Sequence, residues 1–237
     1  LRVSFFSIHA LWKKKIALLF GYYLLSRELM AAVDAYANDL LKITSRAVRE
    51  ISEGELLQFE KARRLDITEE VYFDIIRRKT ASLLAACCAC GAASAGADDE
   101  TVQRMWGLGE RVGLAFQIQD DLLDLGEGDR TGKPTGQDIR ERKMTLPLIH
   151  TLAKASPSER RRLIRLVKHK SDDPAAVKEV MDTILAGPGM ERARSEMRRL
   201  KEESLALLDE LGSQDAVGAE AREALRDLIG YTIQRVQ

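Results

Sequence analysis

The chain is poor in the features that would fix it as a disulfide scaffold, a nucleic-acid binder or a β protein. Its only cysteines, Cys87, Cys88 and Cys90, stand together in one apolar segment, LLAACCACGAA. Adjacent helical positions point in different directions, so this cluster makes neither a good disulfide nor a tetrahedral metal site. Small buried thiols at a close helix contact are expected, in a reducing, cytoplasmic compartment. Neither sign of charge is in excess: Lys+Arg and Asp+Glu both number 37. That removes the general electrostatic case for nucleic acid, and Arg160-Arg161-Arg162 reads as a solvated helix face. Proline is absent before Pro134, which leaves the first half open to long helices. No run of period-two alternation, tandem repeat, low-complexity segment or interdomain linker is visible, so one all-α domain over residues 1–237 is expected.

Long apolar runs are scarce too. IALLFGYYLL, after Lys13-Lys14-Lys15, imitates a signal peptide but lacks a small-x-small cleavage pattern. It is also short for a bilayer span, so a buried core helix without stable membrane insertion is expected. Helical periodicity places further helices over about 34–65, 69–93 and from Asp98 to the motif below, then near 138–154, 157–169, 174–186, 188–212 and 215–236. Thr68 is an N-cap candidate. On the second helix Thr44, Val48, Ile51, Glu55, Gln58 and Ala62 form one stripe, in which Glu55 and Gln58 either line a cavity or form a buried hydrogen-bonded pair. On the third, Tyr72, Ile76, Lys79, Leu83 and Cys87 share the inner stripe.

What the chain does have is Asp120-Asp121-x-x-Asp124 inside an apolar stretch that includes Phe116, Ile118, Leu122, Leu123 and Leu125. Asp120 and Asp124 share a helix face with Gly113 and Gln117, and Asp121 flanks it. Like charges on neighbouring turns repel and are costly to bury alone, so a cation should sit there. Oxygen ligands without His or Cys suit Mg²⁺, which bridges few carboxylates to a substrate's phosphates. A glycine-rich loop follows, with Gly126, Gly128, Gly132 and Gly136 and the cations Arg130 and Lys133, and then Lys143. An acidic helix face followed by a flexible cationic loop makes a diphosphate clamp.

The stretch FQIQDDLLDLGEGDRTGKPTGQDIRERKMTLPLI resembles the second aspartate-rich region of the trans-isoprenyl diphosphate synthases, the polyprenyl synthetase family. Phe116-Gln117, Asp120 to Asp124, Gly132-Lys133-Pro134-Thr135-Gly136-Gln137-Asp138, and Lys143 before Thr145-Leu146-Pro147 carry the likeness. Ser52-Glu53-Gly54-Glu55-Leu56-Leu57-Gln58 resembles the helix lining the family's substrate cavity, and Lys79-Thr80 the pair that meets the allylic diphosphate. The resemblance implies a helical bundle with a central apolar cavity, a homodimer, and Mg²⁺-dependent condensation of an allylic diphosphate with isopentenyl diphosphate. It implies Asp120, Asp121 and Asp124 as metal ligands and Lys79 and Lys133 as catalytic groups. Lys79, Thr80, Gln117, Lys133 and Lys143 would bind substrate.

The sequence also departs from that pattern. The family's first aspartate-rich motif is absent, Arg2-Val3 stands where an arginine pair would end, and Tyr22 replaces an aspartate in Gly21-Tyr22-Tyr23-Leu24-Leu25. An N-terminally incomplete synthase is expected. A non-catalytic subunit regulating a full synthase and a class I terpene cyclase are the alternatives. The loop after the aspartates argues against the cyclase. Product chain length is not legible.

Overall fold

The computed structural model describes residues 14–35, 37–62, 65, 67–127, 135–211 and 216–233. Among these the regular structure is entirely helical. The chain divides into two units, residues 1–45 and 46–237.

In the first unit, α1 (Lys14–Asp34) has no buried residue. Ile16, Leu18, Tyr22 and Leu24 are each about half exposed or more, so the expected buried core helix is not what forms. The helix carries the apolar run on to 21 residues with a mean hydropathy of 1.4, which is long and apolar enough, by length and composition, to cross a membrane. The run alone had looked too short because helix formation does not stop where strong hydrophobicity does. The next helix, α2 (Asn38–Ala62), carries the chain from the first unit into the second.

The second unit is built around one long helix. After α3 (Glu69–Ile76) come a π-helical turn (Arg77–Ala81) and α4 (Ser82–Ser94). Next is α5 (Asp99–Leu122), which packs mainly against α4 and against α10 (Gly189–Glu210). Between α5 and α10 lie α6 (Gln137–Arg140), α7 (Leu146–Lys154), α8 (Pro157–His169) and α9 (Pro174–Ala186), and α11 (Ala216–Ile233) follows. Thr68 caps α3 by accepting from Val71 N–H, as the sequence suggested, and Asp98 caps α5 by accepting from Thr101 N–H. Leu108, Ile118, Leu122, Leu146 and Leu148 lie at the centre of the core.

The α4–α5 contact depends on small residues. Ala81, Ala85 and Ala89 are fully buried, and Gly109 and Gly113 on α5 face the first two of them. This is the close contact expected of the cysteine segment, but the alanines make it. Cys87 is exposed, and Cys88 and Cys90 are only half-buried. The π turn explains the difference. Buried positions step by four from Tyr72 to Ile76, by five across the turn to Ala81, and by four again to Ala85 and Ala89. The extra residue rotates the inner face away from Leu83 and Cys87, which are exposed. On α2 the buried positions are Ala47 and Gly54, one place off the expected Val48 stripe. Arg46 contributes to that packing with its guanidinium 3.9 Å from the Trp106 ring centre. The helix expected over 138–154 is interrupted at residues 141–145, where Arg142 takes a positive φ of 57°.

Candidate active site

Lys79 and Thr80 lie on the π turn, where Ser82 N–H donates to Arg77 O five residues back. Such turns redirect side chains that a regular helix would space differently. Gly54 lets α2 reach this turn: a Cβ there would stand 2.8 Å from both Arg78 Cβ and Lys79 N. That approach brings two α2 side chains onto the Lys79 ammonium. Glu55 Oε2 lies 2.6 Å from Nζ and Gln58 Oε1 accepts at 2.9 Å. Glu55 and Gln58 therefore do not form a pair with each other; both hold the lysine.

Gln58, Lys79, Thr80, Gln117, Asp120, Asp121, Asp138, Glu141 and Lys143 line one cavity of about 220 Å³, together with the apolar side chains of Ala62, Ile67, Ile75, Ile76 and Met144. Sequence positions from 58 to 145 thus converge on a pocket lined by both polar and apolar side chains. Of the residues expected to bind substrate, Lys79, Thr80, Gln117 and Lys143 are brought together here. Lys133 and Arg130 lie outside the described residues.

The three aspartates of the motif have different surroundings. Asp120 is exposed and has no hydrogen-bond or ion-pair partner among the described residues. Asp121 is buried, with Oδ2 accepting from Tyr72 OH at 2.8 Å and Oδ1 from Gln117 Nε2 at 3.0 Å. Gln117 Oε1 in turn accepts from Thr80 Oγ1 at 2.9 Å. Asp124 points elsewhere: its two carboxylate oxygens accept from Gln137 and Asp138 N–H at 3.0 Å each, and its carbonyl accepts from Gly136 N–H at 2.8 Å. It caps α6 from outside that helix, satisfying N–H groups that a helix start leaves unpaired. Asp124 does not line the cavity; Asp138 does.

The electrostatics are those of a site short of positive charge. Burial, and then the neighbouring charge of Asp138, push the Asp121 carboxyl up to about 7. Burial also raises Asp138 and Asp124 above the usual carboxylate range. Lys143 supplies part of the compensation, with Nζ 2.9 Å from Asp138 Oδ1 and 2.8 Å from Glu141 Oε2. Burial works against its charge, but those two carboxylates more than offset this and hold it well above the usual lysine value. A divalent cation beside Asp120 would relieve the remaining repulsion. The available ligands are oxygens, the donor set that suits Mg²⁺ or Ca²⁺. Among the described residues no group of three or more His, Cys, Asp or Glu side chains forms a ready metal site. An ion here would take one or two carboxylates and complete its shell with water and phosphate oxygens.

In the sequence Asp138 stands only as the last residue of the Gly132 to Asp138 motif, without a role of its own, and Tyr72 only as a member of an inner stripe. The signal for Asp138 was its place two residues after Gly136. For Tyr72 there was none, because its partner lies 49 residues away.

Comparison with known proteins shows the family. The polyprenyl synthetase family profile matches residues 2–184. A short chain isoprenyl diphosphate synthase of Methanothermobacter thermautotrophicus is 33% identical over 97% of the chain and 70% of its own length. A decaprenyl diphosphate synthase from Rhodobacter capsulatus superposes with a TM-score of 0.90 at 33% identity, covering 100% of this chain and 72% of that one. A polyprenyl synthase from Caulobacter crescentus, complexed with calcium and isoprenyl diphosphate, gives 0.85 at 31% identity, covering 97% and 69%. An all-α chain with this profile match and these relatives belongs to the polyprenyl synthetase family of prenyltransferases.

Proposed function

We propose that this protein condenses an allylic diphosphate with isopentenyl diphosphate in a Mg²⁺-dependent reaction, and that residues 1–237 form one polyprenyl synthetase-like domain. The observation that carries the reading is the convergence of Lys79 and Lys143 with Asp120, Asp121 and Asp138 at a pocket that apolar side chains also line. In the reaction the allylic C–O bond breaks and the diphosphate leaves with the electron pair. The double bond of isopentenyl diphosphate then attacks the allylic cation, and loss of a proton restores a double bond in a chain five carbons longer.

Each residue has a physical task in that sequence. Lys79 and Lys143 hold the departing diphosphate by charge, and Lys133 adds a third cation from the glycine-rich segment. Glu55 and Glu141 keep the first two ammonium groups in place until phosphate oxygens replace them. Thr80 and Gln117 orient the polar lining. Asp120 offers its exposed carboxylate to the metal, with Asp121 next to it in the chain, and Asp124 fixes the start of α6, which carries Asp138. When bound, Mg²⁺ supplies charge neutralisation for the leaving group. The apolar side chains that line the pocket keep water from the cation. The relative complexed with calcium and isoprenyl diphosphate supports a divalent ion and such a ligand. We propose a cytoplasmic homodimer by analogy with the family.

The test is product analysis after incubation with an allylic diphosphate and labelled isopentenyl diphosphate, with and without Mg²⁺. Label in a longer prenyl diphosphate only with Mg²⁺ is expected. Consumption of the allylic substrate alone would indicate a cyclase. No turnover until another synthase subunit is added would indicate a regulatory subunit.

A further inference from the structure

The polar lining contains a chain of hydrogen bonds that all run one way. The chain ends on Asp121, both of whose carboxyl oxygens accept. Tyr72 donates through its hydroxyl at 2.8 Å, and Gln117 through its amide nitrogen at 3.0 Å. With its NH₂ committed to Asp121, Gln117 presents its carbonyl to Thr80, whose hydroxyl proton goes to it at 2.9 Å. Thr80 has only that one proton. Its remaining capacity toward the cavity is as an acceptor, from an ammonium group or a metal-bound water, and not as a donor to a phosphate oxygen.

We propose that Tyr72 is a positioning residue of the diphosphate site, acting through Asp121 and Gln117 to fix the orientation of the Thr80 hydroxyl. The proposal rests on the reading of this cavity as a diphosphate site. Tyr72 and Asp121 are each only 4% exposed, so no water competes freely for the bond between them. Without the Tyr72 hydroxyl the Asp121 carboxylate has one free oxygen and can turn. The Gln117 amide then loses the constraint that sets which end faces Thr80. Thr80 lies beside Lys79 on the π turn, so the disorder reaches the wall that faces the phosphates.

The test is calorimetric titration of inorganic diphosphate with saturating Mg²⁺ into the full chain, its Tyr72→Phe and Gln117→Met variants and the double variant, with thermal unfolding measured alongside. Tyr72→Phe keeps the ring and removes only the donor. It should weaken diphosphate binding about tenfold, the scale of one hydrogen bond to a charged group. Gln117→Met should do the same by breaking the chain further on. Tyr72→Phe should then add less than about twofold in the Gln117→Met background, because coupled residues are not additive. Full additivity, or unchanged affinity with only a lower melting temperature, overturns the positioning role and leaves the site reading intact. If Tyr72→Phe does not fold, unchanged affinity in Gln117→Met overturns it in the same way. An unaltered protein that binds no diphosphate with Mg²⁺ overturns both.

Discussion

Gly113 on α5 and Ala81 at the end of the π turn meet backbone to backbone: a Cβ on Gly113 would lie 2.5 Å from Ala81 Cα. Gly109 repeats the contact one turn away, where a Cβ would lie 2.5 Å from Leu84 O. Neither neighbour is a flexible side-chain end that could move aside. Gly113→Ala is therefore expected to destabilise the protein by about 1–3 kcal/mol, the usual cost of overpacking. Because Lys79 and Thr80 precede Ala81 on that turn, diphosphate affinity should fall as well. Chemical denaturation and diphosphate titration of the variant check both effects, and unchanged stability would contradict the backbone contact.

Asp120 and Asp121 should respond differently to loss of charge. Asp120→Asn alters an exposed side chain without partners among the described residues, so folding should be unaffected while Mg²⁺-dependent turnover falls and its Mg²⁺ requirement rises. Kinetics at titrated Mg²⁺ decide this, and an unchanged rate and metal dependence would remove Asp120 from the metal site.

Asp121→Asn replaces a buried carboxyl, pushed up to about 7, with a neutral group of the same shape. An amide avoids the cost of ionising there and can still accept from Tyr72, while its NH₂ then faces Gln117, whose amide must turn over to accept. Metal-free protein at pH 7 should gain stability, and the gain should shrink as pH falls toward the ordinary carboxylate value, where the carboxyl is neutral in both the folded and unfolded chain. Thermal unfolding in the presence of a chelator is the measurement. Lower stability would mean that the ionised carboxylate is worth more to the fold than its burial costs.

The parts of this site legible in the sequence were those set by short-range patterns. Asp120, Asp121 and Gln117 lie on one helix, Lys79 and Thr80 form a recognisable pair, and the structure brings both groups to one cavity. Thr68 was legible as a cap because it precedes two glutamates and an apolar run. The rest depended on tertiary contacts. A π turn has no local signature, so regular helical spacing carries the stripe through Lys79 on to Leu83 and Cys87, whereas the inner face rotates to Ala81 and Ala85. Asp124 looked like Asp120 one turn on, and only the return of the chain at Gly136 gives it two N–H groups to cap. Hydrophobicity alone also misplaced α1, since an apolar helix is buried only where the structure provides a surface against it.

Away from the cavity, Arg192 joins Glu69 on α3 to Glu196 on α10, with contacts of 2.9 Å to each. Hydrogen bonding from Arg199 first, and then from Arg192, outweighs burial and lowers Glu196. For Glu69, burial is the largest influence, and His150 and Arg192 together overcome it. A carboxyl lowered on folding adds stability above its unfolded value, near 4.5, and loses it as pH falls through the folded value. Stability from these groups should therefore be constant near neutrality and decline below about pH 4.5. Arg192→Met should cost about 1–2 kcal/mol at pH 7, less than a fully buried pair because the side chains are partly exposed. The cost should shrink at pH 3. Urea unfolding at the two pH values checks this, and an equal loss at both would assign the effect to packing.

Arg142 separates the geometry of the Lys143 loop from its charge. Its φ of 57° is in the left-handed region, which a residue with a Cβ occupies at a cost, and its side chain donates from Nε to Ser171 Oγ at 3.2 Å. Arg142→Gly removes that strain along with a long bond, and gives back some unfolded-chain entropy. The net result should be a gain of about 0.5 kcal/mol. Lys143 is held by Asp138 and Glu141 and not by its neighbour's side chain, so Mg²⁺-dependent diphosphate affinity should stay within about twofold. Lys143→Gln is the contrasting variant: it leaves the turn unchanged, removes the charge and should weaken diphosphate binding at least tenfold, roughly one charge-assisted hydrogen bond. Titration calorimetry on the two variants separates loop shape from loop charge. Equal losses of affinity would mean that Arg142 itself reaches the phosphates from the cavity wall it helps to line.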